Sequence, residues 1–306
     1  MRLRVATFNL KDFFSARREE ERAVVEAKLS NVAASLRRAS ADVVALQEVG
    51  SVDLLDRLVS TVPELAYGAP VVGTPDRRGI RNAILSRLPV QWSQVHTTAS
   101  LPFPEFVEGD PEPFPNRIPL RRGIVHVRLE VGAIGEVDVL TSHFKSNLPA
   151  PKKRADGAEV KETTPAEVGE SAVRSLVQRA AEALYVRRLV DGIFAQSPDH
   201  AIVVMGDLND TLESLPVRLV RGIDTTSKHY LRAAAESIPE EGRYSCFHGG
   251  GESLIDHILL SERLHRALRH FEIFNENLRY HGPHVDDPPL TEDSDHALCL
   301  AEFDDA

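Results

Sequence analysis

Cysteine is scarce: Cys246 and Cys299 are the only two in 306 residues, and they lack the paired spacing of metal or redox motifs. A disulfide scaffold is therefore excluded, and free thiols and a cytoplasmic location are expected. No apolar run approaches the ~18 residues of a membrane span, so stable membrane insertion is not expected. The start, MRLRVATFNL, runs straight into an apolar strand, and no removable leader is expected. Basic charge is not in excess: 36 Lys and Arg face 46 Asp and Glu, for a net charge of −10. A uniformly basic nucleic-acid face is thus disfavoured, although local basic patches would suffice to hold a phosphate.

What is present reads as an ordinary globular protein, 42% hydrophobic and 27% charged. One stretch stands out, Ala201 to Asp210, AIVVMGDLND. Its continuous β-branched run predicts a strand buried on both faces. Gly206 lets the backbone turn, and Asp207 and Asn209 follow two residues apart, on the same side of an extended segment. Burying that amide unpaired costs about 2 to 7 kcal/mol, and the charge costs more. The pair needs a metal, a substrate or each other, unless one residue simply caps a helix beginning after Thr211.

Other strand ends repeat the pattern. Thr7 to Leu10 closes the first apolar strand with Asn9 inside it, and Val43 to Val49 closes the second with Glu48. Ser142 to Ser146 places His143 after the strand Val137 to Leu140; Asp256 lies within Ile255 to Leu259; Asp295 and His296 precede the last strand. Polar groups at so many strand ends point to a catalytic constellation rather than a core.

At these residues the chain resembles the endonuclease/exonuclease/phosphatase superfamily, which includes DNase I-like nucleases and inositol polyphosphate 5-phosphatases. The matching strings are TFNL at 7–10, LQEV at 46–49, SHFKS at 142–146, GDLND at 206–210, IDHIL at 255–259 and SDH at 294–296. Each is weak alone, but six occur in the family's order. Because they lie at both ends of the chain, a single domain over residues 1–306 is expected. The resemblance implies a four-layer α/β (α+β) sandwich of two mixed β-sheets flanked by helices; periodicity alone gives only alternating strands and helices.

That periodicity predicts helices over 17–39, 52–62, 171–194 and near 212–221, and strands at 42–49, 124–131, 201–206, 254–260, 271–275 and 297–303. Residues 101–119, dense in proline and acid, read as an irregular loop carrying Phe103, Phe106 and Phe114. A second irregular stretch, 147–170, carries the basic run Lys152, Lys153 and Arg154, which is either solvated or in contact with a nucleic-acid backbone.

The resemblance also implies roles. Glu48 would be a metal ligand with Asn9 and Asp295 beside it. Oxygen donors without thiolates favour Mg²⁺, or Mn²⁺, over zinc. Asn209 would orient the nucleophile or a phosphate oxygen. Asp207 would activate water or hold a second ion, and His296, its ring held by Asp256, would act as base or donate to the phosphate. The sequence leaves open which of the two is the base. His143 would stabilise the transition state, but Arg81 and Asn82 occupy the stretch where family members carry the acid that orients it. Arg81 and Arg122 are candidate phosphate ligands, as is Lys145 within SHFKS. His257 reads as a satisfied core or surface residue. The expected function is metal-dependent phosphodiester hydrolysis by in-line attack of water, on DNA or RNA with low sequence specificity. Two alternatives stand: a phosphodiesterase or phosphatase acting on a small molecule or phospholipid head group, and a catalytically inactive binding protein of the same fold.

Overall fold

The structure, a computed structural model, describes residues 3–154, 156–248, 251–279 and 290–304. Strands β1 (Leu3–Phe13), β2 (Val43–Val49), β3 (Val71–Val72) and β4 (Arg81–Ser86) alternate with helices α1 (Arg22–Ala39) and α2 (Val52–Thr61). Next come β5 (Val90–His96), β6 (Ile124–Val131), β7 (Gly135–Thr141), the long α3 (Pro165–Gln196), β8 (Ala201–Asp207) and α4 (Leu215–Arg221). The last third holds β9 (Arg232–Ala233), β10 (Cys246–His248), β11 (Gly251–Ser253), β12 (Asp256–Leu260), α5 (Glu262–Ala267), β13 (Leu268–Ile273) and β14 (Cys299–Phe303). Two six-stranded sheets result, ordered β13-β14-β1-β2-β4-β3 and β5-β6-β7-β8-β12-β9, beside the small pair β10-β11. Each large sheet holds one parallel pair, β1 with β2 and β7 with β8, among antiparallel neighbours. No described helix is long and apolar enough to cross a membrane.

The alternation of side chains along β1 and β2 builds the layers. Val5, Val43 and Ala45 face the second sheet and share a core with Val125, Val139 and Val203, continuing to Val186 and Val190 of α3. The intervening Ala6, Phe8, Val44 and Leu46 face outward and pack on Leu29 and Leu36 of α1 and Leu54 and Leu58 of α2. Helix, sheet, sheet and helix thus form the four layers implied by the sequence.

Two features shape the shared end of the sheets. Gln47, fully buried, accepts from Thr7 Oγ1 at 3.2 Å and donates to Thr141 Oγ1 at 3.0 Å, linking β1 and β2 to β7. Gly206 sits at φ +142°, where a Cβ would stand 2.0 Å from the Ser142 carbonyl oxygen. Only glycine allows β8 to pass so close to the chain leaving β7.

Helix α3 begins six residues earlier than periodicity predicts. Thr164 accepts from the Glu167 amide while Glu167 reaches back to the Thr164 amide, and Pro165 occupies the first turn. Helix α1 starts later than predicted, after a short 3-10 turn at Glu19–Glu21. Residues 97–119 contain no regular strand or helix, and Phe103 and Phe114 meet edge-on there at 5.1 Å.

Candidate active site

The two parallel strand pairs lie against each other and end together, so residues at their C-terminal ends converge. That is the usual place for a site in layered α/β proteins. Asn9 follows the inward positions Val5 and Thr7 along β1. Its Nδ2 donates to Asp207 Oδ2 at 2.9 Å and its Oδ1 accepts from the Lys11 amide at 2.9 Å. Glu48 has φ +59°, unusual for a residue with a side chain, and its Oε2 accepts from the Asp12 amide at 2.8 Å. Lys11, Asp12 and Asn209 also have left-handed φ of 47°, 50° and 54°. Such conformations cost of order 1 to 3 kcal/mol each and gather where function requires them.

Asp207 closes β8, and its register partner on antiparallel β12 is Asp256. His296, just before β14, completes the cluster: its Nδ1 stands 2.8 Å from Asp256 Oδ2. Asp256 Oδ2 also accepts from Ser245 Oγ at 2.7 Å. The other face of the His296 ring is directed at acids, with Nε2 4.0 Å from both Asp207 Oδ2 and Asp295 Oδ1. One ligand atom each from Asp207, Asp256 and His296 lies within 4.8 Å of the others. Asn209 braces the turn that follows β8. Its amide donates to Asp207 Oδ1 at 2.9 Å, and its Nδ2 donates to the Phe144 carbonyl at 3.0 Å.

Burial and charge drive these groups apart in acidity. Desolvation, with Asp256 beside it, raises the Asp207 pKa, while His296 and the Asn9 hydrogen bond oppose the rise. Burial alone would lower His296, but Asp256 and then Asp207 outweigh it and hold the imidazole well above its ordinary value. His143 goes the other way: burial first, then Arg122, His296 and Arg78, push it well below, so its ring is neutral.

His143 Nε2 stands 3.4 Å from Asp207 Oδ2 and 3.9 Å from Glu48 Oε1, so His143 joins the cluster. Its Nδ1 is buried without a hydrogen-bond partner among the described residues. The three basic candidates are engaged elsewhere. Arg122 donates to Asp76 Oδ2 at 3.1 Å and to the His143 and Phe144 carbonyls at 3.3 Å each. Lys145 turns its amine onto its own loop, to Ser146 O and Oγ at 2.9 Å and Leu148 O at 2.8 Å. Arg81 reaches the Gly79 carbonyl at 3.2 Å. His257 is buried and bonds the Asp210 carbonyl at 2.8 Å, as a core residue should.

Two neighbouring cations, Lys11 and Lys28, were not singled out from sequence, and Arg78 stands beside them. Lys11 Nζ contacts Asp295 Oδ2, Arg78 pairs with Asp12, and buried Lys28 of α1 donates to the Lys11 carbonyl. Burial lowers Lys28 to about 8 against the pull of Asp12 and Glu48. Its sequence signal was available, since Val25, Lys28, Leu29 and Val32 follow the apolar stripe of α1 and put a charge inside it.

The donor set suits a hard divalent ion. Glu48 Oε1 and Asp295 Oδ1 lie at the edge of the cluster as carboxylate oxygens, within 4.0 Å of His143 and His296 respectively, and the Asn9 amide oxygen accepts from the Lys11 amide. Lys11 already places one positive charge on Asp295.

A carboxylate cluster backed by an aspartate-held imidazole thus sits on two mixed sheets between helices. The model of the Endonuclease/Exonuclease/phosphatase family matches residues 6–296, and the chain belongs to that family. No curated protein matches the chain. Among solved structures it is similar to truncated Caenorhabditis elegans TDP2, with a TM-score of 0.60 at 17% identity over 99% of this chain and 97% of that one. An AP endonuclease from Archaeoglobus fulgidus gives 0.58 at 16% identity, covering 99% of each chain. The 3'-5' exonuclease NExo from Neisseria meningitidis gives 0.58 at 17% identity, over 99% of this chain and all of that one, 100%. At these identities the likeness is one of fold.

Proposed function

We propose that this protein is a divalent-metal-dependent phosphodiesterase that cleaves DNA or RNA with low sequence specificity by in-line attack of water. The observation that carries the reading is the pairing of Asp256 with His296 Nδ1 at 2.8 Å, which leaves Nε2 facing Asp207 and Asp295. Asp207, its acidity weakened by burial, suits the role of base that takes the proton from water. His296, held in its charged form, donates to a phosphoryl oxygen, and Asp256 fixes its ring. Neutral His143 offers Nε2–H to the developing charge, and Asn209, in its left-handed turn, orients the nucleophile or a phosphate oxygen. Glu48, Asp295 and Asn9 would hold the ion, whose chemistry when bound is to neutralise charge on the phosphate and leaving oxygens.

Phe106 and Val107, 86% and 66% exposed on the 97–119 loop, favour a second reading in which the diester belongs to a lipid head group. One experiment separates the two. Wild type and His296→Ala are offered plasmid DNA, RNA, a p-nitrophenyl phosphodiester and phospholipid vesicles, with Mg²⁺ and with chelator. Nicking or RNA cleavage that requires both the metal and His296 supports the nuclease. Cleavage of only the lipid or small diester supports the second reading, and hydrolysis unaffected by His296→Ala overturns the site assignment.

A further inference from the structure

A second group of titratable side chains lies away from the catalytic end, on the outer face of the second sheet. In the β5–β6 ladder Gln94 pairs with His126, so His96 stands diagonally beside His126 on the same face. Arg128 follows two residues after His126, and its register partner across β7 is Asp138. His96, His126 and Arg128 line a cavity of about 550 Å³ whose far wall is the C-terminal half of α3, at Leu189 and Ile193. Trp92, 43% exposed, forms its rim with the ring edge-on to His126 at 4.9 Å.

Two imidazole nitrogens meet in this cavity: His96 Nε2 and His126 Nδ1 are 3.1 Å apart. Two ligands on one tetrahedral ion, each at about 2.0–2.1 Å, stand roughly 3.3–3.4 Å apart, so only a few tenths of an ångström separate this pair from a chelating one. His126 is prepared for such a role. Its Nε2 lies 2.7 Å from Asp138 Oδ1, which fixes the proton there and leaves Nδ1 as a lone pair. Asp138 is in turn held by Arg128 Nη2 at 2.8 Å and has His200 Nε2 at 2.6 Å. A carboxylate behind an imidazole is the arrangement that orients metal-binding histidines. His96 Nε2 points its proton at the His126 Nδ1 lone pair, so ligation needs only a shift of the proton from Nε2 to Nδ1.

We infer that His96 and His126 form a binding site for a nitrogen-preferring divalent transition ion of the zinc or nickel type, separate from the oxygen-rich catalytic cluster. Imidazole donors select such ions over Mg²⁺. The open cavity accommodates water at the remaining positions. The ion would join β5 to β6 at the point where the chain enters the 97–119 loop.

Trp92 is the only tryptophan in the sequence and touches His126, so it reports on this site directly. The test is titration of Ni²⁺ alone into tag-free protein while tryptophan emission is followed. Wild type is expected to show saturable quenching that Mg²⁺ does not produce. His96→Ala and His96→Gln should raise the midpoint tenfold or more, as loss of a ligand demands, with circular dichroism like that of wild type. The glutamine variant retains a hydrogen-bonding side chain and so separates ligand loss from local collapse. His296→Ala should leave the titration unchanged. Absence of saturable quenching, an unaltered midpoint in both His96 variants, or loss of quenching in His296→Ala would each overturn the inference.

Discussion

Asp138 and Asp207 occupy neighbouring parallel strands of one sheet and are almost completely buried, yet their environments drive their acidities in opposite directions. At Asp138 burial alone would raise the pKa, but His126, His200 and Arg128 saturate both oxygens and hold it well below the usual carboxylate range. At Asp207 the donors are an amide side chain and a backbone amide, a second acid lies close, and the pKa rises. The same residue type is thus a structural anchor where cations and donors complete its shell, and a chemical group where its charge is left partly uncompensated.

Neutralising each carboxylate tests that contrast. Asp207→Asn should lower kcat on a p-nitrophenyl phosphodiester by about 10³-fold, within the range for loss of an acid–base group. Its melting temperature at pH 8 should hold or rise. The sign follows from linkage: a carboxyl whose pKa is raised on folding favours the native state most below its unfolded pKa, and that contribution is lost as pH rises through the folded value. A variant that melts far earlier than wild type would show Asp207 to be an anchor after all.

Asp138→Asn should do the reverse. Removing this buried carboxylate deprives Arg128, His126 and His200 of their shared charged acceptor and should cost about 3 kcal/mol at pH 7. Activity per folded molecule should be unchanged. Because this pKa is depressed, its stabilisation is present above the unfolded value near ~3.9 and fades as pH falls towards the folded one. Denaturant midpoints for wild type and variant should therefore converge below about pH 4; a constant gap would contradict the assignment.

Gln47 gives an intermediate case, buried and polar but neutral. Gln47→Leu strands the Thr7 and Thr141 hydroxyls and should cost about 1 to 3 kcal/mol in urea unfolding, less than Asp138→Asn. Since the link lies directly behind Asn9, kcat should also fall, though less than for Asp207→Asn. Full activity would mean that the spacing of the sheets is set by the apolar core alone.

The two regions were not equally legible in the sequence. The catalytic end could be read because its polar residues interrupt apolar runs at strand ends, leaving short strings such as TFNL and GDLND in which burial and polarity conflict visibly. The cavity network left no such trace. His96, His126, Asp138 and His200 come from four separate segments, and only the register of β5, β6 and β7 brings the first three together. Strand β5 was missed because most of it is exposed and lacks apolar alternation. The start of α3 was legible but overlooked, since Thr164-Pro165-Ala166-Glu167 spells a capping box. The layer order came from resemblance, because periodicity carries no information on which sheet a strand joins.

Arg122 tests the smallest effect and bears on the same distinction between support and chemistry. Sequence placed it at the phosphate; its guanidinium spans Asp76 and the carbonyls of His143 and Phe144. These bonds fix the backbone that carries His143, whose own Nδ1 has no partner among the described residues. Arg122→Lys keeps one charge but cannot span three acceptors in a fixed fork. If the arginine positions His143, kcat should fall about tenfold, of order 1.4 kcal/mol, with KM nearly constant. A phosphate ligand would instead raise KM at constant kcat, because binding common to ground and transition states would be lost. Steady-state kinetics on the p-nitrophenyl diester distinguish the two outcomes, and a pure KM effect would return Arg122 to the substrate.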